Sequence, residues 1–190
     1  MIRDCLEAYY TPQEKAAVLE HQIAFINGRQ KANDAILAYI KEHPPAEGTT
    51  VKIPGAYVND AFSDYNNAVA AWEAARLPVI RRYAEGKSNA ELVQDAKEIL
   101  RAVRWKDLEY HPFSKRIFAK TKRSDDMLTV LTLICTPQFQ ALKDRYTDDD
   151  AADEIITDAM REIFNTIFRK IDRIEERLKQ KEGANNAEKN

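Results

Sequence analysis

Glycine is scarce in this chain: five residues in 190, at positions 28, 48, 55, 86 and 183. Sheet-rich folds lean on glycine for their tight turns, and no clear strand alternation runs through the sequence. Cysteine is rarer still. Cys5 and Cys135 are too few for a disulfide framework, and Cys135 lies in an apolar run where a buried thiol is ordinary. Long apolar runs are missing. The longest, Met127 to Cys135, contains Thr129 and Thr132 and is far shorter than the ~20 residues a membrane helix needs. Acids at Asp4 and Glu7 stand where a secretory signal would carry its apolar stretch. No membrane role and a cytoplasmic location are therefore expected.

The familiar catalytic and metal-binding motifs are absent too. His21, His43 and His111 are far apart, and none follows a carboxylate at the Glu-x-x-His spacing of di-metal bundles. No Cys or His pair has zinc spacing. There is no nucleophile elbow, phosphate loop or dinucleotide fingerprint. A calcium loop opening at Asp148 fails at Ala152, at Asp153 where glycine belongs, and at Ala159 where the bidentate Glu belongs. No catalytic residue, metal or cofactor is expected.

Helix signals are dense. At 190 residues and a net charge of −2, one domain over 1–182 is the default, with roughly 70 % of its unfolded surface buried. Ile2, Cys5, Leu6 and Tyr9 have the spacing of a short amphipathic helix. Thr11-Pro12-Gln13-Glu14 reads as a cap, and Leu19, Ile23, Ile26, Ile36, Leu37 and Ile40 follow. Gly28 either breaks that helix or sits within it at a cost of ~1 kcal/mol. His43-Pro44-Pro45 ends it and opens a loop over 43–56.

Periodicity resumes through Phe62, Tyr65, Val69 and Trp72. Pro78 kinks this helix or starts another, which Gly86 closes. Ser88-Asn89-Ala90-Glu91 is a capping box for Leu92, Ala96, Ile99, Leu100 and Val103. A short helix is expected within 112–123. Ser124-Asp125-Asp126 caps Met127, Leu128, Leu131 and Ile134, and Thr136-Pro137 caps another short helix.

The last helix, about 149–181, has Ile156, Met160, Ile163, Ile167, Ile171, Ile174 and Leu178 at threes and fours. It would be roughly 50 Å long, so its far end should project or meet a partner. Residues 183–190 are polar and read as a disordered tail. The fold class is thus all-α, an irregular bundle of about six to eight helices with a long C-terminal helix.

Several features invite function. Residues 97–123 carry nine bases against three acids, a net of +6, with Trp105, Tyr110, Phe113 and Phe118 interleaved. Bases that neutralise phosphates and rings that stack on nucleobases suit single-strand binding. Arg101, Arg104, Trp105, Lys106, Lys115, Arg116, Lys120, Lys122 and Arg123 are the residues such binding would use. The plainer alternative is a solvated basic rim.

Residues 144–162 hold eight acids against two bases, a net of −6. Asp150, Glu154, Asp158 and Glu162 form a ridge at i+4 steps, facing a basic surface of this chain or a partner. Toward the end of the helix, Ile174 and Leu178 continue the apolar seam, flanked by Arg169, Arg173 and Arg177. That spacing resembles a coiled-coil seam and suggests self-association or docking to another helix, although an amphipathic stripe ordinarily faces its own core. Last, Arg104 and His111 resemble the Arg-x4–6-His pair of HEPN-type ribonucleases. The resemblance implies phosphate binding and proton transfer by those two residues. The polar residue that commonly follows the Arg is Trp105 here, and Pro112 follows the His.

The sequence therefore points first to a non-enzymatic helical module for protein–protein contacts, such as an adaptor, assembly factor or inhibitor. Its partner would be another protein or a second copy of itself. Nucleic-acid association through 97–123 is the alternative, and ribonuclease action comes after it.

Overall fold

The computed structural model describes residues 5–46, 49–104, 106, 108, 124–145 and 150–187, the side chains of 124–126, 150–152, 182 and 185–187 excepted. The described residues form seven α-helices and no strand. The helices are α1 (Pro12–Glu42), α2 (Gly55–Ala61), α3 (Ser63–Ala84), α4 (Asn89–Ala102), α5 (Ser124–Ile134), α6 (Thr136–Lys143) and α7 (Asp150–Ala187). The fold is all-α with a long C-terminal helix. By its internal packing the chain groups into two compact units, Tyr9–Val79 and Met1–Ala8 with Ile80–Asn190.

In the unit Tyr9–Val79, α1 opens on the expected capping box. The Glu14 backbone N–H donates to Thr11 Oγ1 (3.2 Å), and the Glu14 carboxylate accepts from the Thr11 backbone N–H (2.9 Å). Gly28 does not break the helix. A Cβ there would lie 3.0 Å from the backbone N and Cα of Tyr65, so the missing side chain lets α1 and α3 approach closely. The face turned inward is Val18, Phe25, Gly28 and Ala32. Phe25 meets Tyr65 and Trp72 edge-on, at ring-centroid distances of 6.3 and 5.5 Å. The Arg76 guanidinium lies 4.2 Å above the Trp72 ring. Leu19 and Ile23, expected in the core, are 55 % and 51 % exposed. They stand about 100° or more around the helix from Val18, and the inward face is already set by the small residues that allow close contact.

His43 ends α1 as expected, its backbone N–H bonded to the Tyr39 carbonyl. The loop is slightly shorter than expected, because α2 starts at Gly55 directly after Pro54. Pro78 lies inside α3 and neither ends nor starts a helix there. It removes the hydrogen bond that would have reached the carbonyl of Ala74.

The other unit has the larger aliphatic core. Ahead of it, Glu7–Tyr9 form a single 3-10 turn, where an amphipathic α-helix over 2–9 was expected; Leu6 is fully buried. Gly86, at φ +73°, closes α3 as expected. The Arg145 guanidinium then secures the corner between α3 and α4. It donates to the carbonyls of Ala84 (3.1 Å) and Lys87 (2.5 Å) and to Asn89 Oδ1 (2.6 Å). Ser88 and Glu91 form the predicted capping box.

Leu92, Val93, Ala96 and Leu100 of α4 are buried, and α4 packs along α7 and on α6. From α7, Ile156, Ile163, Ile167, Ile171 and Ile174 are buried at threes and fours and at seven, against α4, α5 and α6. A buried polar group ties α3, α4 and α6. The Tyr83 hydroxyl donates to Asp95 Oδ2 (2.6 Å) and accepts from Gln138 Nε2 (2.8 Å), and Lys87 Nζ donates to the same Asp95 oxygen (2.6 Å). Burial, reinforced by the bond to Asp95, holds the Tyr83 phenol well above the ordinary tyrosine value.

Three expectations about helix ends change. Thr136 is the first residue of α6, not its cap, and its hydroxyl donates back to the Thr132 carbonyl (3.2 Å). Ser124 lies within α5. The final helix does not stop near 181; it continues to Ala187, through part of the segment read as a disordered tail. Polarity alone is no stop signal: no proline follows, Ala184 and Ala187 favour helix, and Gly183 costs only ~1 kcal/mol. At 38 residues α7 is about 57 Å long. The helix expected within 112–123 lies outside the described residues.

Candidate interaction surface

Helical spacing builds the most distinctive surface. On α4, Lys97, Arg101 and then Arg104 just beyond its end follow one another at fours and threes, so they share a side with Leu100 and Val103. On α7, Arg169, Lys170, Arg173 and Arg177 do the same beside Ile174. Because α4 and α7 pack lengthwise, these two rows become the walls of one groove of about 470 Å3. Leu100, Val103 and Ile174 form its aliphatic floor and are 1 %, 3 % and 5 % exposed. The groove continues into a second recess of about 510 Å3, where Leu178, Lys106 and Lys181 join the lining.

Among the described residues, seven cations line the first groove against one carboxylate, Glu162. That carboxylate is already paired with Lys97. Among the described residues no carboxylate pairs with Arg101, Lys170, Arg173 or Arg177. The uncompensated charge acts on its own members: burial, with Arg177 and Arg173 beside it, holds the Lys170 ammonium below the ordinary lysine value. Like charges in a groove with low-dielectric walls reinforce one another's field and concentrate anions. Chemically, the groove can hold an anionic chain over an apolar strip. Among the described residues, no aromatic ring lines it.

The structure brings together residues that the sequence placed in two separate sets. Arg101, Arg104 and Lys106 had been assigned to nucleic acid; Arg169, Arg173, Arg177, Ile174 and Leu178 to a protein partner. All of them line this groove or its continuation. Ile174 enters as buried floor, and Leu178 is half-buried, so the apolar seam packs within its own unit as far as Ile174. Beyond Leu178 the described side chains of α7 are all exposed.

The acidic ridge is divided. Glu162 bonds Lys97, a direct link between the acidic and the basic segments of this chain. Glu154 and Asp158 are exposed, and Asp158 pairs with Arg161 of its own helix. The Asp150 side chain lies outside the described residues, as do Trp105, Lys115, Arg116, Lys120, Lys122, Arg123 and His111. Lys170 and Lys181 were missed. The available signal was spacing along the apolar seam, with Lys170 four residues before Ile174 and Lys181 three after Leu178.

Among the described residues no three His, Cys, Asp or Glu side chains cluster as metal ligands, and no helix is long and apolar enough to cross a membrane. No protein-family model, no curated protein and no solved structure matches the chain.

Proposed function

We propose that this protein is a non-enzymatic interaction module that docks an acidic protein segment in the groove between α4 and α7. One observation carries the reading: cations from α4 and α7 converge over an aliphatic floor, and the one carboxylate among the described lining residues is already engaged. An acidic amphipathic segment complements both features, charge to the walls and apolar side chains to the floor. Fluorescence polarisation with an acidic amphipathic peptide tests it. Binding should weaken steeply with salt. Arg101→Glu combined with Arg173→Glu should lower the affinity at least about tenfold, or ~1.4 kcal/mol. Failure of the wild-type protein to bind the peptide at low salt overturns the reading.

Nucleic acid is the second reading, favoured by the presence of Arg101, Arg104 and Lys106 in the same groove. A single-stranded oligonucleotide of matched charge, run in parallel, distinguishes the two. Single-strand binding draws on aromatic stacking as well as charge, and the groove's described lining pairs its cations with aliphatic side chains, so the peptide is expected to bind more tightly.

A further inference from the structure

Helix α1 has a second apolar stripe, on the side away from its buried face. Leu19, Ile23 and Ile26 open it, Gln30 and Asn33 interrupt it, and Leu37 and Ile40 close it. The steps between them alternate four and three without a break, which is the a/d spacing of a coiled coil. At ~100° per residue the seven positions fall within about 100° of one another, and the buried row Val18, Phe25, Gly28 and Ala32 is centred about 140° away. Such a seam drifts ~20° per heptad on a straight helix, and two helices remove that drift by winding left-handedly around each other. Leu19, Ile23 and Leu37 are 55 %, 51 % and 61 % exposed. One face of α1 thus holds its own unit, and the opposite face carries an exposed seam.

The residues flanking the seam select a partner. In a parallel pair of equal register, each g position faces the e position five residues later in the other helix. Lys15 then faces Glu20, Gln22 faces Asn27, Arg29 faces Asp34 and Ile36 faces Lys41. A two-fold axis repeats each pairing, and no like charges meet. Lys15, Glu20, Arg29 and Asp34 are all exposed. Asp34 accepts from Gln30 of its own helix (2.6 Å), and a carboxylate has room to accept from a guanidinium as well.

The seam itself selects the same arrangement. Equal register sets each leucine and isoleucine against its own kind, and Gln30 and Asn33 amide against amide. Polar layers of this sort cost stability and fix register. An antiparallel copy centred on the seam would set Ile23 against Asn33, Ile26 against Gln30, and Arg29 against Arg29. Shifted by one heptad to relieve those clashes, it would leave Leu19 opposite Pro44, beyond the end of α1.

We propose that α1 pairs with α1 of a second copy of this chain, parallel and in register, as a short two-stranded coiled coil. The seam and the α4–α7 groove belong to different helices, so self-pairing and docking in the groove are separable. Exposed ion pairs are individually weak and the amide layers cost stability, so the dimer is weak and dilute protein is the single chain.

Sedimentation velocity on the full chain over a concentration series tests the proposal. A monomer–dimer equilibrium is expected, with dimer gaining as the concentration rises toward about 1 mM. Ile23→Glu/Leu37→Glu sets carboxylates against each other in two layers and should raise the dissociation constant at least about a hundredfold. Arg29→Glu places acid against Asp34 twice and should raise it roughly fivefold; adding Asp34→Arg should restore it. All four sites are exposed, so the thermal midpoint of each variant in dilute solution should stay close to that of the unaltered chain.

An unaltered chain that is still monomeric at about 1 mM, or a dimer that survives Ile23→Glu/Leu37→Glu, overturns the pairing through α1. A dimer indifferent to Arg29→Glu, or one that Asp34→Arg does not restore, overturns the parallel register. The concentration series on the unaltered chain does not depend on any variant folding.

Discussion

Helices α1 and α7 are the two longest in the protein, at 31 and 38 residues, and they hold their places by different means. Helix α7 presents a row of isoleucines, from Ile156 to Ile174, that is buried along its length. Helix α1 buries one large aromatic, Phe25, and one mid-sized aliphatic, Val18; its other buried residues are the small Gly28 and Ala32, where the helix is thin. Its larger aliphatics Leu19, Ile23 and Leu37 are exposed. One helix is fixed by apolar area, the other by closeness of approach. The same residue types therefore carry very different weight in the two.

The largest expected effect follows directly. Ile163→Ala or Ile167→Ala in α7 should destabilise the protein by about 2–5 kcal/mol, since each side chain is fully buried. Leu19→Ala in α1 should change stability by no more than ~0.5 kcal/mol. Urea denaturation of the variants measures both, and equal losses would break the contrast.

A smaller effect sharpens the case for α1. Gly28→Ala would ordinarily favour a helix by up to ~1 kcal/mol. Here the new methyl meets the Tyr65 backbone at 3.0 Å, and overpacking of that kind costs ~1–3 kcal/mol. The expected outcome in urea is net destabilisation; a stabilised variant would show that α1 does not depend on close approach.

Smaller again is the loss of a cap. Thr11→Ala removes the hydroxyl that accepts from the Glu14 backbone and should cost about 1 kcal/mol, read from the thermal midpoint. Helix α4 combines both devices, a buried stripe and a cap, and its cap is sensitive to pH. Hydrogen bonds from the backbone and side chain of Ser88 hold the Glu91 carboxyl below its ordinary value. A depressed carboxylate stabilises above its unfolded value, and that contribution disappears as pH falls through the lower folded value. The stability difference between wild type and Glu91→Gln should therefore be present at neutral pH and shrink in acid. A difference that grew toward low pH would contradict the assignment.

The contrast also explains what the sequence made legible. Both capping boxes, at Thr11 and Ser88, could be read because their geometry closes within four residues. The α7 stripe could be read because its period is regular and its partners lie on one side. Leu19 and Ile23 misled because an apolar period does not say which face meets a neighbour, and in α1 the decision falls to Gly28 and Ala32. The groove was half legible. Its two rows of cations could be counted, but Arg101 and Arg173 are 72 positions apart, and only the lengthwise packing of α4 on α7 makes one surface of them.

The clamp made by Arg145 has a consequence for the order in which the protein matures. The corner between α3 and α4 is completed by a side chain that lies 56 to 61 positions further along the chain. During synthesis, α3, Gly86 and α4 emerge first, with the Ala84 and Lys87 carbonyls still lacking the guanidinium. The corner is secured only when translation has passed α6 and released Arg145. A nascent chain arrested before that point should leave this corner open to proteases that the finished protein resists.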